Sequence, residues 1–273
     1  MFNIHLFPKE ATMIKENNLP LSNKVALVTG SSRGIGRSIA YKLAEEGADI
    51  IINYVRNQKP AEEVAQKISD LGRKVIIARV NLAKIEDIDK MFSQIDDEFG
   101  KLDIFISNAA SGFNHPVTEQ KVSGWDWTMN VNARAFLFAA QKAIPLMEKS
   151  KSGKIVSISS PGSSRVLPDY IAVGASKAAL ESLTRYLAVE LAPRNISVNC
   201  VSSGLVETDA LRHFSAMSDS SILERTINNT PAKRLVKPED IANTVFFLCS
   251  PEADMIRGQV IIVDGGFTLL VPG

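Results

Sequence analysis

Short apolar runs rich in β-branched residues recur along this chain, each followed by a longer stretch of helical character, and that alternation limits the folds open to it. The predicted strands are Val25–Thr29, Ile50–Tyr54, Val75–Val80, Leu102–Ser107, Lys154–Ser159, Ile196–Val201 and Gln259–Val263. Helices are predicted from the glycine turn through Glu46, then over Ala61–Leu71, Ile85–Phe99, Trp125–Glu148, Tyr170–Leu191 and Pro238–Leu248. Strands apolar along their whole length are covered on both faces, and intervening helices make the connections crossovers between parallel neighbours. Right-handed crossovers then give an α/β fold: a single doubly wound parallel sheet of about seven strands with helices on both faces. The domain is expected to run from Lys24 to Gly273, with residues 1–23 as an N-terminal extension. Residues 208–236 are polar and mixed and break the rhythm, as a substrate loop or lid does.

Composition narrows the function. The 273 residues carry a net charge of +1, which argues against nucleic acid or a membrane surface as a partner held by bulk charge. Cys200 and Cys249 sit far apart in apolar surroundings and read as buried free thiols of a reducing compartment. His5, His115 and His213 share no ligand spacing, so no metal is expected. No apolar run reaches the roughly 18 residues of a membrane span. The apolar residues at the N-terminus (Phe2, Ile4, Leu6, Phe7) are too few for a signal peptide, so a cytoplasmic location is expected, with Met13 as an alternative start.

Between the first strand and the first helix stands Thr29-Gly30-Ser31-Ser32-Arg33-Gly34-Ile35-Gly36. Glycines there permit a tight turn and let backbone N–H groups approach a pyrophosphate, which the helix N-terminus attracts. Gly30, Ser32, Arg33, Gly34, Ile35 and Gly36 are therefore candidate nucleotide-binding residues of a Rossmann-like fold.

A second pattern lies in Asp169-Tyr170-Ile171-Ala172-Val173-Gly174-Ala175-Ser176-Lys177. On a helix, a spacing of seven returns to the same face two turns later, about 10 Å along the axis. A lysine so placed can lower the phenol's pKa and hold a cofactor hydroxyl, while the phenol donates a proton to a developing oxyanion.

Taken together, the glycine turn, Asn108-Ala109 after the fourth strand and the later Tyr/Lys pair resemble the short-chain dehydrogenase/reductase family over roughly nine-tenths of the chain. The resemblance implies that Asn108 and Ala109 line the adenosine and ribose side. It also implies that Asn132, in Asn130-Val131-Asn132-Ala133, supports a proton-relay water, and that Val263-Asp264-Gly265-Gly266 is the C-terminal signature. Asn81 stands where the family has an adenine-facing aspartate, and Ser203-Gly204 where it has Pro-Gly. Gly204, Val206 and Thr208 are assigned to the cofactor on the same grounds. The family's acid at the end of strand two is absent; Tyr54 occupies that position, followed by Arg56. Two guanidiniums, Arg33 and Arg56, and no carboxylate suit a 2′-phosphate, so NADPH is the expected cofactor.

Lys177 matches the family lysine and Ser160 the family serine, but the usual tyrosine position, four before the lysine, is Val173. A tyrosine one turn earlier suits reduction of an α,β-unsaturated thioester. Hydride then goes to the β-carbon, while charge builds on the thioester oxygen farther away. Tyr-x6-Lys, Asn108-Ala-Ala-Ser-Gly112, Trp125-Asp-Trp-Thr-Met-Asn130, Thr184-Arg-Tyr-Leu-Ala-Val-Glu-Leu191, Thr208-Asp-Ala-Leu211 and Ala253-Asp-Met-Ile-Arg-Gly-Gln259 are similar to the bacterial enoyl-acyl-carrier-protein reductase III type. That resemblance implies an NADPH-dependent enoyl reductase of type II fatty-acid synthesis, acting on an acyl thioester on acyl carrier protein and assembled as a homotetramer. It casts Tyr170, Lys177, Ser160 and Asn132 as the catalytic set. A carbonyl or 3-ketoacyl-thioester reductase of the same fold, and a dinucleotide-binding regulator without turnover, are the competing readings.

Overall fold

In the computed structural model, residues 19–207 and 220–270 are described. Seven strands form one parallel sheet: β1 (Val25–Val28), β2 (Asp49–Tyr54), β3 (Val75–Arg79), β4 (Ile104–Ser107), β5 (Gly153–Ser159), β6 (Ile196–Ser203) and β7 (Val260–Val263), ordered β3-β2-β1-β4-β5-β6-β7. The connections carry α1 (Gly34–Glu45), α2 (Gln58–Asp70), α3 (Ile85–Phe99), α4 (Val122–Met129), α5 (Ala135–Lys149), α6 (Ile171–Leu191), α7 (Ser220–Asn229) and α8 (Pro238–Cys249). Strand order reverses between β1 and β4, whose pairing sets Ala26 beside Ile104 and Val28 beside Ile106. Open α/β sheets bind ligands at such a switch point, beyond the carboxyl ends of the strands.

Strand residues alternate between two apolar layers. Val28, Ile50, Ile52 and Val156 pack with Ile39 and Leu43 of α1, Val64 of α2 and Val245 of α8. Leu27, Ile51, Phe105 and Ile155 pack on the other face with Met91 of α3, Phe136 of α5 and Leu180 of α6. Burying each large side chain contributes about 1.5–3 kcal/mol, which is why strands this short still hold their register.

One expectation is corrected and two gain detail. The helix predicted over Trp125–Glu148 is interrupted by a π-helical turn, Asn130–Arg134, between α4 and α5. Leu21, expected in an extension, is buried with the α1 layer, and its N–H donates to the Glu46 carbonyl at 2.8 Å. The packed domain thus reaches back at least that far. Within the stretch expected as a loop, residues 220–229 form α7, and Val206 pairs with Val236 in an isolated parallel bridge. Residues 208–219, Thr208 among them, lie outside the described residues, as does most of the proposed extension.

Candidate active site

The glycine turn closes over the carboxyl end of β1. Gly30 and Gly34 have φ of +64° and +54°, a region that excludes most side chains. A Cβ on Gly36 would stand 2.4 Å from Asn108 Nδ2 and 2.5 Å from the Gly30 carbonyl oxygen, so only glycine lets α1 start this close to the turn. Arg33 is the N-cap of α1 but makes no side-chain capping bond, and no acid lies in the first turn. The N–H groups at this helix start are left for an anion. Arg33 and Arg56 are both exposed, and neither has an ion-pair partner among the described residues. A pyrophosphate-bearing dinucleotide fits this cradle.

Asn108 is brought to the cradle as expected, but as part of its frame. Its Nδ2 donates to the Thr29 carbonyl at 2.8 Å and to that of Gly30 at 3.3 Å, while the Thr29 hydroxyl accepts the N–H groups of Asn108 and Ala109. Asn53 does the same work from β2 and was not anticipated. Its Oδ1 accepts the Gly30 N–H at 3.1 Å, and its Nδ2 donates to the carbonyls of Ala78 and Val80. One signal pointed to it, a lone amide inside the otherwise apolar and aromatic run Ile50-Ile-Ile-Asn-Tyr54.

Across the sheet, Tyr170 caps the start of α6 and Ser160 directly follows β5. Their hydroxyl oxygens are 3.4 Å apart. The Tyr170 ring lies over Gly162, where a Cβ would stand 2.6 Å from the ring. Burial pushes the Tyr170 phenol up, with the Ser160 hydrogen bond working against it, so the group is a protonated donor at neutral pH. Lys177, two turns on, is buried, and its Nζ donates to the Ile158 carbonyl at 2.7 Å. Val173 is buried one turn after Tyr170 and faces Gly112, whose Cβ would come within 2.3 Å of Val173 Cγ2. The place four before the lysine is thus apolar and filled.

Asn132 sits in the π-helical turn. Its Oδ1 accepts the Ser111 N–H at 2.8 Å, and its Nδ2 donates to the Ser111 carbonyl and to Ser176 Oγ, both at 2.9 Å. With both N–H groups used, the side chain fixes the loop after β4. Trp127 Nε1 donates to Ser111 Oγ at 2.8 Å in the same knot.

A family model described as "Enoyl-(Acyl carrier protein) reductase" matches residues 30–268. The chain is a short-chain dehydrogenase/reductase. Two relatives bear this out. The 1-cyclohexenylcarbonyl-CoA reductase of Streptomyces collinus is 34% identical over 249 residues, covering 91% of this chain and 88% of that protein. The 3-oxoacyl-[acyl-carrier-protein] reductase of Staphylococcus epidermidis is 36% identical over 244 residues, covering 89% and 98%. Among solved structures, a 7α-hydroxysteroid dehydrogenase complexed with NADH superposes with a TM-score of 0.86 at 32% identity, over 92% of this chain and 96% of that one. A Burkholderia cenocepacia short-chain dehydrogenase in complex with NADP gives 0.84 at 33%, over 91% and 99%.

In this short-chain dehydrogenase/reductase two of the residues expected at the cofactor also make contacts within the fold. The Tyr54 side chain is buried in the α1 layer of the core. Asn81 Oδ1 accepts the Ala83 N–H at 3.0 Å, so that oxygen is spent on the turn leading into α3. Gly204 holds its place for a packing reason, since a Cβ there would stand 2.8 Å from that of Asp264. Asp264 in turn ties its own turn together through the N–H groups of Gly266 and Thr268.

Proposed function

We propose that this enzyme uses NADPH to reduce the carbon–carbon double bond of a trans-2-enoyl thioester, carried on acyl carrier protein in type II fatty-acid synthesis, as a homotetramer. The observation that carries the reading is the position of Tyr170: its hydroxyl is paired with Ser160 one helical turn before Val173, which fills the nearer place with methyl groups. The dinucleotide, when bound, supplies a hydride. Arg33 and Arg56 would hold its 2′-phosphate, the N-terminus of α1 its pyrophosphate, and Lys177 its nicotinamide ribose. Hydride would add to the β-carbon and the π pair would shift so that charge builds on the thioester oxygen; a proton taken up from water at the α-carbon would then complete the saturated thioester. The Tyr170 hydroxyl, displaced about 5 Å along α6 by one turn, meets that oxygen and donates to it, with Ser160 orienting the phenol. The name of the Streptomyces collinus relative supports this reading, since 1-cyclohexenylcarbonyl-CoA is itself a thioester with its double bond next to the carbonyl.

Reduction of a 3-oxoacyl thioester is the second reading. It is favoured by the Ser160–Tyr170 pair, a hydroxyl couple that also suits a ketone oxygen, and by the 36% identity to the Staphylococcus epidermidis enzyme. Incubation with NADPH and either a crotonyl or an acetoacetyl thioester separates the two. Consumption of NADPH with the crotonyl ester alone is the expected result. Consumption with the acetoacetyl ester alone would replace the first reading by the second, and tight NADPH binding without turnover of either would end both.

A further inference from the structure

Beneath Lys177 the face of α6 turned toward the sheet is polar, although the core around it is apolar. Lys177, Glu181 and Thr184 fall on one stripe at spacings of four and three. On β5, Ser157 and Ser159 point to that same face, because alternate strand residues share a side. The Ser157 and Thr184 hydroxyls are 2.9 Å apart, and Ser159 Oγ donates to Glu181 Oε1 at 2.6 Å. Cys200 of β6 is fully buried in the same cluster. Burying a row of polar groups costs free energy unless each is paired, and here every hydroxyl is paired. No described ion pair joins Glu181 to Lys177. Ser159 holds the carboxylate, and the lysine amine turns to the Ile158 carbonyl instead.

We propose that Glu181, aimed by the Ser159 hydroxyl, is a positioning residue that keeps the Lys177 amine charged while the dinucleotide is held. Burial pulls Lys177 down to about 8, opposed by the neighbouring Cys200 and by Glu181. The Cys200 thiol is itself pushed up to about 12 by burial, so it is neutral throughout the range in which Lys177 titrates. Tyr170, the other titratable group of the site, is raised and neutral as well. Glu181 is therefore the negative charge among the described residues that acts on the amine, and it does so through space. Without it the amine would lose its proton at lower pH, and the grip on the ribose would weaken sooner as pH rises.

The inference rests on Lys177 gripping the cofactor, and the test keeps the two ideas apart. NADPH affinity is measured by fluorescence from pH 6.5 to 9.5 for the intact enzyme and for Lys177→Met, Glu181→Gln and Ser159→Ala, with thermal unfolding alongside. Affinity in the intact enzyme should fall as pH rises through the Lys177 value, and Lys177→Met should flatten that limb. Glu181→Gln should move the limb to lower pH by roughly half to one unit, the effect of one carboxylate across a partly buried site. Ser159→Ala should move it the same way by less, and it stands in if Glu181→Gln does not fold. A limb flattened by Lys177→Met but unmoved by Glu181→Gln, or by Ser159→Ala in its stead, overturns the role of Glu181. A limb that survives Lys177→Met shows that the lysine does not grip the cofactor and removes the ground the inference stands on.

Discussion

Under the proposed function a hydroxyl and a guanidinium each make a separate prediction. Tyr170→Phe removes the proton donor while keeping the ring over Gly162. General acid catalysis contributes roughly 10²–10⁴-fold, so kcat should fall by about that factor while Tm and NADPH affinity stay near those of the parent enzyme. A variant that kept more than a tenth of the activity would place the donor elsewhere. Arg33 stands exposed at an uncapped helix start without an acid beside it. Hydrogen bonds to charged groups are worth about 1.5–3 kcal/mol, so Arg33→Ala should raise the KM for NADPH by roughly 10–100-fold and leave that for NADH nearly unchanged. Equal losses with both cofactors would show that Arg33 does not meet the 2′-phosphate. Both residues were visible in the sequence because motif spacing marks them. Glu181 was not, since a helix glutamate ordinarily lies on a solvated face, and only the pairing with Ser159 reveals that it is half-buried against β5.

Among the elements, those whose cause is local were legible and those whose cause is distant were not. All seven strands were placed because β-branched apolar runs such as Ile50-Ile-Ile and Val260-Ile-Ile-Val263 have few other options. The π-helical turn at Asn130–Arg134 escaped notice. It is set by hydrogen bonds from Asn132 to Ser111 and Ser176, 21 and 44 residues away, and no window of sequence contains both ends. Asn53 is a similar case, for its role appears only when β2 is laid between β1 and β3. There it joins Gly30 on one side to Ala78 and Val80 on the other. Asn53→Ala would leave a buried N–H and two carbonyls short of partners, at a cost of about 1–3 kcal/mol. Urea unfolding should show that loss, and NADPH affinity should drop further than stability alone explains because the turn proposed to meet the pyrophosphate is the part released. Affinity equal to the parent's would mean that the turn is held without Asn53.

At the scale of the molecule the sheet has two ends with different duties. Gly30, Asn108, Ser160 and Asp264 gather at the carboxyl end, where the candidate site is, and the opposite end is closed by one carboxylate. Asp103, immediately before β4, accepts the Val25 N–H at 3.0 Å, pairs with Lys24 at 3.0 Å and Lys101 at 3.1 Å, and is hydrogen-bonded by Ser150 beyond α5. One side chain thus ties the central strand β1 to β4 and to the end of a covering helix. Burial works to raise its pKa. The bonds from Ser150, the Val25 N–H, Lys24 and Lys101 together outweigh burial and hold the carboxyl below its ordinary range. A carboxyl depressed in the folded state lends stability that is complete above its unfolded pKa of about 3.9 and is lost as pH falls through the lower folded value. Asp103→Asn keeps the shape but not the charge that its donors need. At pH 7 it should cost about 1–3 kcal/mol, lowering Tm by roughly 2–12 °C for a chain of this size. Scanning calorimetry from pH 7 to pH 3 checks this, because the gap between the two proteins must narrow as the intact chain's own carboxylate takes up its proton. A gap that stayed constant to pH 3 would mean that the fold is indifferent to the charge on Asp103, and that the closure of this end of the sheet rests on shape alone.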